Sequence, residues 1–282
     1  MRLRHKLIHI AFPFLALTAA PATVLGQTPE GGRDVILATT TSLRDTGLLD
    51  SLLPIFERET GYRVRAIAVG SGQALKLGER GDADVILAHS PAAEETFMGH
   101  GFGTSRLVVA WNWFALAGPP DDPALAATAP SAPEALRRIA AADRAFVSRG
   151  DSSGTHMREL ALWRQAGGRP SWPGYAETGQ GMGATLLVAD ERRGYTLTDR
   201  ATLAAFHGRV DLVPLRAEEP ALLNVYHVIA VNPQGRPRVN RAGAHAFAQW
   251  LVSPRGQDLI ASFGGWSGAP LFVAAHGREP VP

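Results

Sequence analysis

The sequence has no cysteine and only two lysines, Lys6 and Lys76, among its 282 residues. The first absence excludes disulfides, thiolate zinc sites, cysteine nucleophiles, cysteine-ligated iron–sulfur clusters and lipoprotein anchoring through an N-terminal cysteine. The second confines any Schiff-base or lysine-dependent phosphate chemistry in the body of the chain to Lys76. Long apolar runs are missing too. The one candidate, Leu7 to Ala20, contains Pro13, ends at Pro21 and is short for a membrane span. It follows Arg2, Arg4 and Lys6 and leads into Val24-Leu-Gly26. A cationic start, an apolar core and a small-residue exit predict a secretory signal peptide over residues 1–26, with a mature start near Gln27.

An excess of positive charge is also missing once that segment is set aside. The full chain carries 28 Lys plus Arg against 26 Asp plus Glu, a formal charge of +2. Without Arg2, Arg4 and Lys6 the balance is 25 against 26, a formal charge of −1. A nucleic-acid partner is therefore not expected. The remaining length suits one large domain or two lobes of ordinary size.

What is present reads as alternating strand and helix. Strands are expected at Val35–Ala38, Val64–Val69, Val85–Ala88, Leu107–Ala117, Ala145–Ser148, Tyr195–Leu197, Val210–Leu215 and Tyr226–Val231. Between them, Leu48, Leu49, Leu52, Leu53 and Phe56 recur at helical spacing, with Pro54 expected to kink that helix or shift its start. Further helices are expected at Gln73–Glu79, after the capping box Ser131-Ala-Pro-Glu134, through Trp163 to a stop at Gly167-Gly168, and at Gly183–Asp190 and Asp199–Phe206. Two more, Ala242–Leu251 and Pro254–Phe263, finish the chain. The alternation predicts an α/β architecture with mainly parallel sheets. Gly118-Pro-Pro-Asp-Asp-Pro123 is a candidate crossing between lobes and Glu218-Glu-Pro-Ala221 a candidate return.

Three hydroxyl- or glycine-rich turns follow strands and precede helices: Thr39 to Ser42, Gly70-Ser-Gly72 and Arg149 to Thr155. Unpaired N–H groups and a partial positive charge at a helix start attract anions, and hydroxyls add donors without fixed charge. Serine and threonine are also ordinary caps, so each turn alone says little. Together they point to a small oxyanion. Arg149, the one cation among them, would grip that anion or fix its own loop through Asp151. Gly179-Gln-Gly-Met-Gly183 is a fourth such turn, without the spacing of a dinucleotide-binding loop.

Other readings compete. Gly150-Asp-Ser152-Ser-Gly154 matches G-x-S-x-G between strand and helix, as a serine esterase would require, with Asp199, Asp211, His227, His245 and His276 as later partners. Nine histidines include no pair at metal-ligand spacing, and His156 with Glu159 reads as a solvated or capping pair. Trp111, Trp113 and Phe114 read as buried strand residues.

In order and spacing, Ala38-Thr-Thr-Thr-Ser42 with Asp45-Thr-Gly-Leu-Leu-Asp50, Ala68-Val-Gly-Ser-Gly-Gln-Ala-Leu75 and Gly81-Asp-Ala-Asp-Val85 form a recognisable series. It continues with Ser148-Arg-Gly-Asp-Ser-Ser-Gly-Thr-His156, Gly179-Gln-Gly-Met-Gly-Ala-Thr185 and Tyr195-Thr-Leu-Thr-Asp-Arg200. From about Val35 to Phe263 the chain thereby resembles the tungstate-binding proteins of bacterial ABC transporters. The resemblance implies a two-lobed periplasmic-binding-protein fold of class II type, each lobe a mixed, mainly parallel sheet flanked by helices, joined by two hinge crossings. Lobe 1 would take residues 33–115 plus 223–282, and lobe 2 residues 116–222.

It further implies that Thr40, Thr41 and Ser71 face the ligand from lobe 1, and Arg149, Ser153, Gly154 and Thr155 from lobe 2. Met182 and Gly183 would add backbone N–H groups. Which of Thr39, Thr40 and Thr41 turns inward depends on strand register. The implied protein is a monomer in the periplasm that hands tungstate, or the near-identical molybdate, to a membrane permease with its ATPase subunit. No catalysis, cofactor or protein-bound metal is expected, and the mature chain is not embedded in the membrane. Sulfate, phosphate, an esterase and a sensor subunit remain alternatives. An acceptor such as Asp151 or Asp45 pointing into the site would favour phosphate.

Overall fold

A computed structural model describes residues 32–280, so the signal-peptide expectation over residues 1–26 lies outside the described residues. The first half contains β1 (Asp34–Thr40), α1 (Thr41–Asp45), α2 (Leu48–Thr60), β2 (Arg63–Val69), α3 (Ser71–Arg80), β3 (Val85–Ala88), α4 (Pro91–Gly99) and β4 (Gly103–Gly118). Then come α5 (Ala132–Ala141), β5 (Phe146–Ser148), α6 (Gly154–Gln165), β6 (Tyr175–Glu177), α7 (Met182–Glu191), β7 (Thr196–Asp199), α8 (Arg200–Ala205) and β8 (Val213–Arg216). The chain closes with β9 (Leu223–Val231), α9 (Arg241–Val252), α10 (Pro254–Ser262) and β10 (Val273–Ala274).

Strand alternation sorts apolar side chains onto two faces of one sheet, because successive residues point to opposite sides. Val35 and Leu37 of β1, Val85 and Leu87 of β3, and Tyr226, Val228 and Ala230 of β9 join one core with α2, α9 and α10. Ala38, Ile86, Ala88, Ile229 and Val231 join another with α3 and α4. A second pair of cores flanks the other lobe: Phe114, Leu116, Phe146 and Leu197 pack with α5 and α6, and Ala117 and Val147 with α7 and α8. The architecture is thus two-lobed, each lobe a sheet sandwiched between helices.

The sheets are mixed, as expected. β1 pairs in parallel with β2 and β3, and β5 with β6. The long strands β4 and β9 pair antiparallel with every neighbour, so antiparallel ladders take a larger share than strand–helix alternation predicts. β4 pairs with β9 from Gly103 to Trp113, then with β7 from Phe114 onward. The chain therefore passes between lobes inside an unbroken strand. The Gly118–Pro123 loop does not make the crossing; Asp122 folds it back by accepting from Ala126 N and Ala127 N.

Several elements differ from expectation for visible reasons. α2 runs from Leu48 through Pro54 without a shifted start. β8 begins at Val213, not Val210, which forms an isolated bridge with His207. Helix α4 carries no apolar stripe to signal it in the sequence, because its buried face is Glu94 and Phe97. Glu94 is held at its Oε2 by Arg106 Nη2 at 3.0 Å and His227 Nδ1 at 2.8 Å, while its Oε1 accepts from Ser90 N at 2.7 Å. Strand β6 has three residues in a proline- and glycine-rich stretch, too short for a period-2 signal. No described helix is long and apolar enough to cross a membrane.

One aromatic cluster centres on Phe56, fully buried, with Phe247 at 5.0 Å and Trp250 at 5.5 Å between ring centroids. Truncation there leaves a cavity lined by rigid rings. Phe56→Ala is expected to lower unfolding free energy by about 3–5 kcal/mol, read as a lower urea midpoint at unchanged slope.

Candidate functional site

Parallel pairing brings the turns together. Thr40 lies opposite Val69, and Thr39 opposite Leu87, so the turns after β1, β2 and β3 share one edge of the sheet. From the other lobe come the turn after β5 and the starts of α6 and α7. Crevices at the carboxyl ends of strands are where open α/β sheets place ligands.

The threonine run divides its labour. Thr39 donates its hydroxyl to Leu87 O at 3.1 Å and so serves the sheet. Thr40 caps α1, accepting from Leu43 N at 3.2 Å. Thr41 turns toward the opposite lobe, where its Oγ1 accepts from Arg149 Nη2 at 3.0 Å. Ser42, for which sequence reading proposed no contact, accepts from Arg149 Nη1 at 3.0 Å.

Arg149 is buried, 2% exposed, and crosses the crevice. Its Nε donates to Gln180 O at 3.2 Å and its Nη2 also to Asp151 Oδ2 at 2.5 Å. One N–H on Nη1 is not used in any of these bonds. Burial lowers the guanidinium's pKa, and Asp151 opposes that shift. The guanidinium keeps its charge, since arginine is not deprotonated in proteins near neutral pH.

Both carboxylates beside the site are engaged. Asp151 Oδ1 accepts from Ser153 N at 3.1 Å, and Asp45 Oδ2 accepts from Gly183 N across the crevice at 3.2 Å. The Gly183 N–H, expected to face a ligand, is therefore directed at Asp45. Met182 turns a fully buried side chain into the core with Leu186.

Three buried polar atoms around the crevice lack a protein partner: Ser71 Oγ, Thr155 Oγ1 and His89 Nε2. A buried hydroxyl without a partner costs free energy unless something else satisfies it. Ser71 opens α3 and Thr155 follows the first residue of α6, so both sit where helix N–H groups are also unpaired. Ser153 Oγ caps α6, accepting from His156 N at 3.2 Å. The lobes meet closely here. A methyl on Gly70 would lie 3.4 Å from Ser153 Cα, and one on Gly154 2.7 Å from His89 O, so only glycine fits at the latter.

Behind the Arg149 turn lies a buried carboxyl. Glu159 Oε2 accepts from Ser148 Oγ at 2.6 Å and Oε1 from Tyr175 Oη at 2.9 Å. Ser148 Oγ in turn accepts from Gly150 N at 3.2 Å, which pins the left-handed Gly150 (φ 62°) beside Arg149. Burial pushes the Glu159 pKa up to about 6, against hydrogen bonds from Ser148 and Tyr175 that pull it down.

The structure thus brings Thr40, Thr41, Ser71, Arg149, Ser153, Gly154, Thr155 and the start of α7 to one crevice. The esterase constellation does not assemble. Ser152 is exposed and left-handed (φ 59°), and His156 Nδ1 accepts from its backbone N–H at 3.0 Å. Asp199 instead caps α8, and His227 pairs with Glu94. His89, packed against Gly154, lies outside the set expected from the sequence. The signal available was Ala88-His-Ser-Pro91, another strand-to-helix turn with proline at the helix start. Among the described residues no cluster of metal-ligating side chains is present.

The chain matches the PBP superfamily domain over residues 18–255. It is 44% identical over 269 residues to tungstate-binding protein TupA of Peptoclostridium acidaminophilum, covering 92% of this chain and 93% of that protein. Among solved structures, the tungstate ABC transporter from Geobacter sulfurreducens shares 45% identity at a TM-score of 0.75, covering 82% of this chain and 98% of that one. The tungstate-binding protein TupA from Desulfovibrio alaskensis G20 shares 42% at a TM-score of 0.67, covering 86% and 99%.

Glu159 generates a pH prediction. Its folded pKa of about 6 lies above the ordinary 4.5, so between these values the native state binds the proton more tightly than the unfolded chain. Stability from this group is greatest below pH 4.5 and falls as pH rises through 6, by about 2 kcal/mol in all. The difference in unfolding free energy between wild type and Glu159→Gln, followed by urea titration, is expected to change by that amount across this window and be flat outside it.

Proposed function

The chain belongs to the PBP superfamily and, within it, to the family of the TupA tungstate-binding proteins; from that premise we propose that it captures tungstate, or molybdate, between its lobes. The observation that carries the reading is the pair of buried, unpartnered hydroxyls, Ser71 Oγ and Thr155 Oγ1, offered from opposite lobes where the Gly70 turn meets Ser153. Thr40, Thr41, Ser153, Gly154 and the start of α7 at Met182 complete the set, while the Gly183 N–H stays with Asp45. The division into residues 33–115 plus 223–282 and 116–222 is part of the proposal. So is export by a signal peptide to the periplasm.

Donors dominate this site. Tungstate near neutrality carries no proton, so it needs hydrogen-bond donors and offers none. Asp151 and Asp45, the acceptors close by, are already committed to Arg149, Ser153 N and Gly183 N. A protonated oxyanion such as hydrogen phosphate would find both carboxylates engaged and only His89 Nε2 unpartnered to receive its hydrogen, so the donor-rich remainder of the site favours the fully deprotonated ligand.

Capture is binding and closure without covalent chemistry. The anion satisfies the orphaned hydroxyls and the remaining Arg149 N–H, and the lobes close on it because the closed state alone presents donors from both sides. Exclusion of water strengthens each bond. The closed monomer is then recognised by the membrane permease with its ATPase subunit.

Parallel calorimetric titrations of the mature protein with tungstate, molybdate, sulfate and phosphate test the reading. Tight binding of tungstate with far weaker phosphate binding is expected; absence of tight binding by every anion overturns it. Loss of a buried, charge-assisted donor costs about 1.5–3 kcal/mol, so Arg149→Ala is expected to weaken tungstate binding about tenfold to a hundredfold. Ser71→Ala and Thr155→Ala are expected to weaken it about threefold to tenfold each.

A further inference from the structure

One buried group at the crevice has no role in the proposal above. His89 directly follows β3 and is 2% exposed. Its Nδ1 lies 2.9 Å from Asn224 Oδ1, and its Nε2 is buried without a protein partner. The imidazole packs against the start of α6: a methyl on Gly154 would lie 3.1 Å from His89 Cε1. It therefore borders the same helix start that carries the orphaned Thr155 hydroxyl.

The polarity of the surrounding network fixes which nitrogen carries the proton. Asp199 accepts from Thr202 N at 2.9 Å and Thr202 Oγ1 at 2.6 Å, so it faces its neighbours as an acceptor. Asn112 turns Nδ2 toward it, at 3.5 Å. That leaves Asn112 Oδ1 to accept from Asn224 Nδ2 at 2.8 Å, and Asn224 Nδ2 also donates to Tyr226 Oη at 2.9 Å. Asn224 Oδ1 then accepts from the Nδ1–H of His89. A neutral His89 accordingly holds a lone pair at Nε2, which repels an oxyanion that has no hydrogen to share.

We propose that His89 is a binding residue of the oxyanion crevice that takes up one proton from solvent as the anion enters and donates Nε2–H to it. The inference rests on the oxyanion reading. Burial disfavours the imidazolium and keeps the ring neutral without ligand; Asp199 and Asn224 favour the proton, Arg149 opposes it, and Glu94 favours it more weakly. Tyr226 and Phe114 stack on or tilt against the ring at 4.9 and 5.9 Å, and Arg158 lies 5.8 Å from the Phe114 centroid. Two added negative charges in such a low-dielectric setting outweigh the desolvation penalty. The proton adds one positive charge to a crevice whose Arg149 is already paired with Asp151.

Calorimetry with tungstate near neutral pH, repeated in buffers of different ionisation heat, counts the protons. Uptake approaching one proton per anion is expected for wild type, with affinity falling about tenfold per pH unit where uptake is complete. His89→Gln keeps an N–H donor without a titrating group and is expected to bind with no uptake. Uptake should persist in Glu159→Gln and His156→Asn, the other titratable groups near the Arg149 turn. In wild type labelled at histidine, the His89 Cε1–H resonance should move to its imidazolium position on saturation, a readout independent of any variant's folding. Tight binding without uptake, unchanged uptake in His89→Gln, or tight binding of hydrogen phosphate without uptake overturns the inference. Absence of binding by tungstate, molybdate, sulfate and phosphate overturns the oxyanion reading itself.

Discussion

A guanidinium sealed between two lobes is tolerable only if its N–H groups find oxygen on every side, and this requirement organises the centre of the molecule. Arg149 meets it for four of its five N–H groups, with one carbonyl, two hydroxyls and one carboxylate drawn from both lobes. Breaking such a buried set would strand a charge in a poorly solvated place, so the partners are held as firmly as the cation. Each has its own support. Thr41 and Ser42 ride on a turn capped by Thr40, Asp151 is braced by Ser153 N, and the backbone beside Arg149 is pinned through Ser148 to Glu159. Only one N–H of Arg149, on Nη1, remains unspent by this arrangement.

The second organising element is polar and runs through the strands shared by the lobes. Asn112 and Asn224 face each other in the β4–β9 ladder and link Asp199 on one side to His89 on the other. A buried amide pair has few ways to be satisfied at once, so it selects one register and one tautomer. The surroundings are aromatic and buried, which makes that polarity consequential. Thr202 extends the chain of contacts back to Ser42 O at 3.3 Å, closing a loop between lobes.

Much of this was legible in the residues, for local reasons. Each hydroxyl- or glycine-rich turn sits between a short apolar run and a helical pattern, and the caps at Thr40, Ser131, Ser153 and Asp199 act within three residues of themselves. What was not legible depends on partners far along the chain. His89 acquires its meaning from Asn224, 135 residues away, and Gly183 loses its N–H to Asp45, 138 residues away. Helix α4 hid because its inward face carries Glu94, satisfied only by Arg106 and His227. Among Thr39, Thr40 and Thr41 the division of roles follows from β1 pairing with β3, which no local pattern announces.

The unbroken β4 strand has a mechanical consequence. Sixteen residues pass from one sheet to the other without a flexible loop, and β9 accompanies them through Trp113. A pin joint lets its two halves swing freely about a line; a twisted two-stranded ribbon resists, stores the distortion and returns it. Irregularities at Val108–Ala110 and Leu116–Ala117, on either side of the handover, are the places where such a ribbon winds most readily. The lobes are therefore joined by a continuous twisted ribbon, and any change in the angle between them would be taken up by twist along β4 and β9, not by a loop.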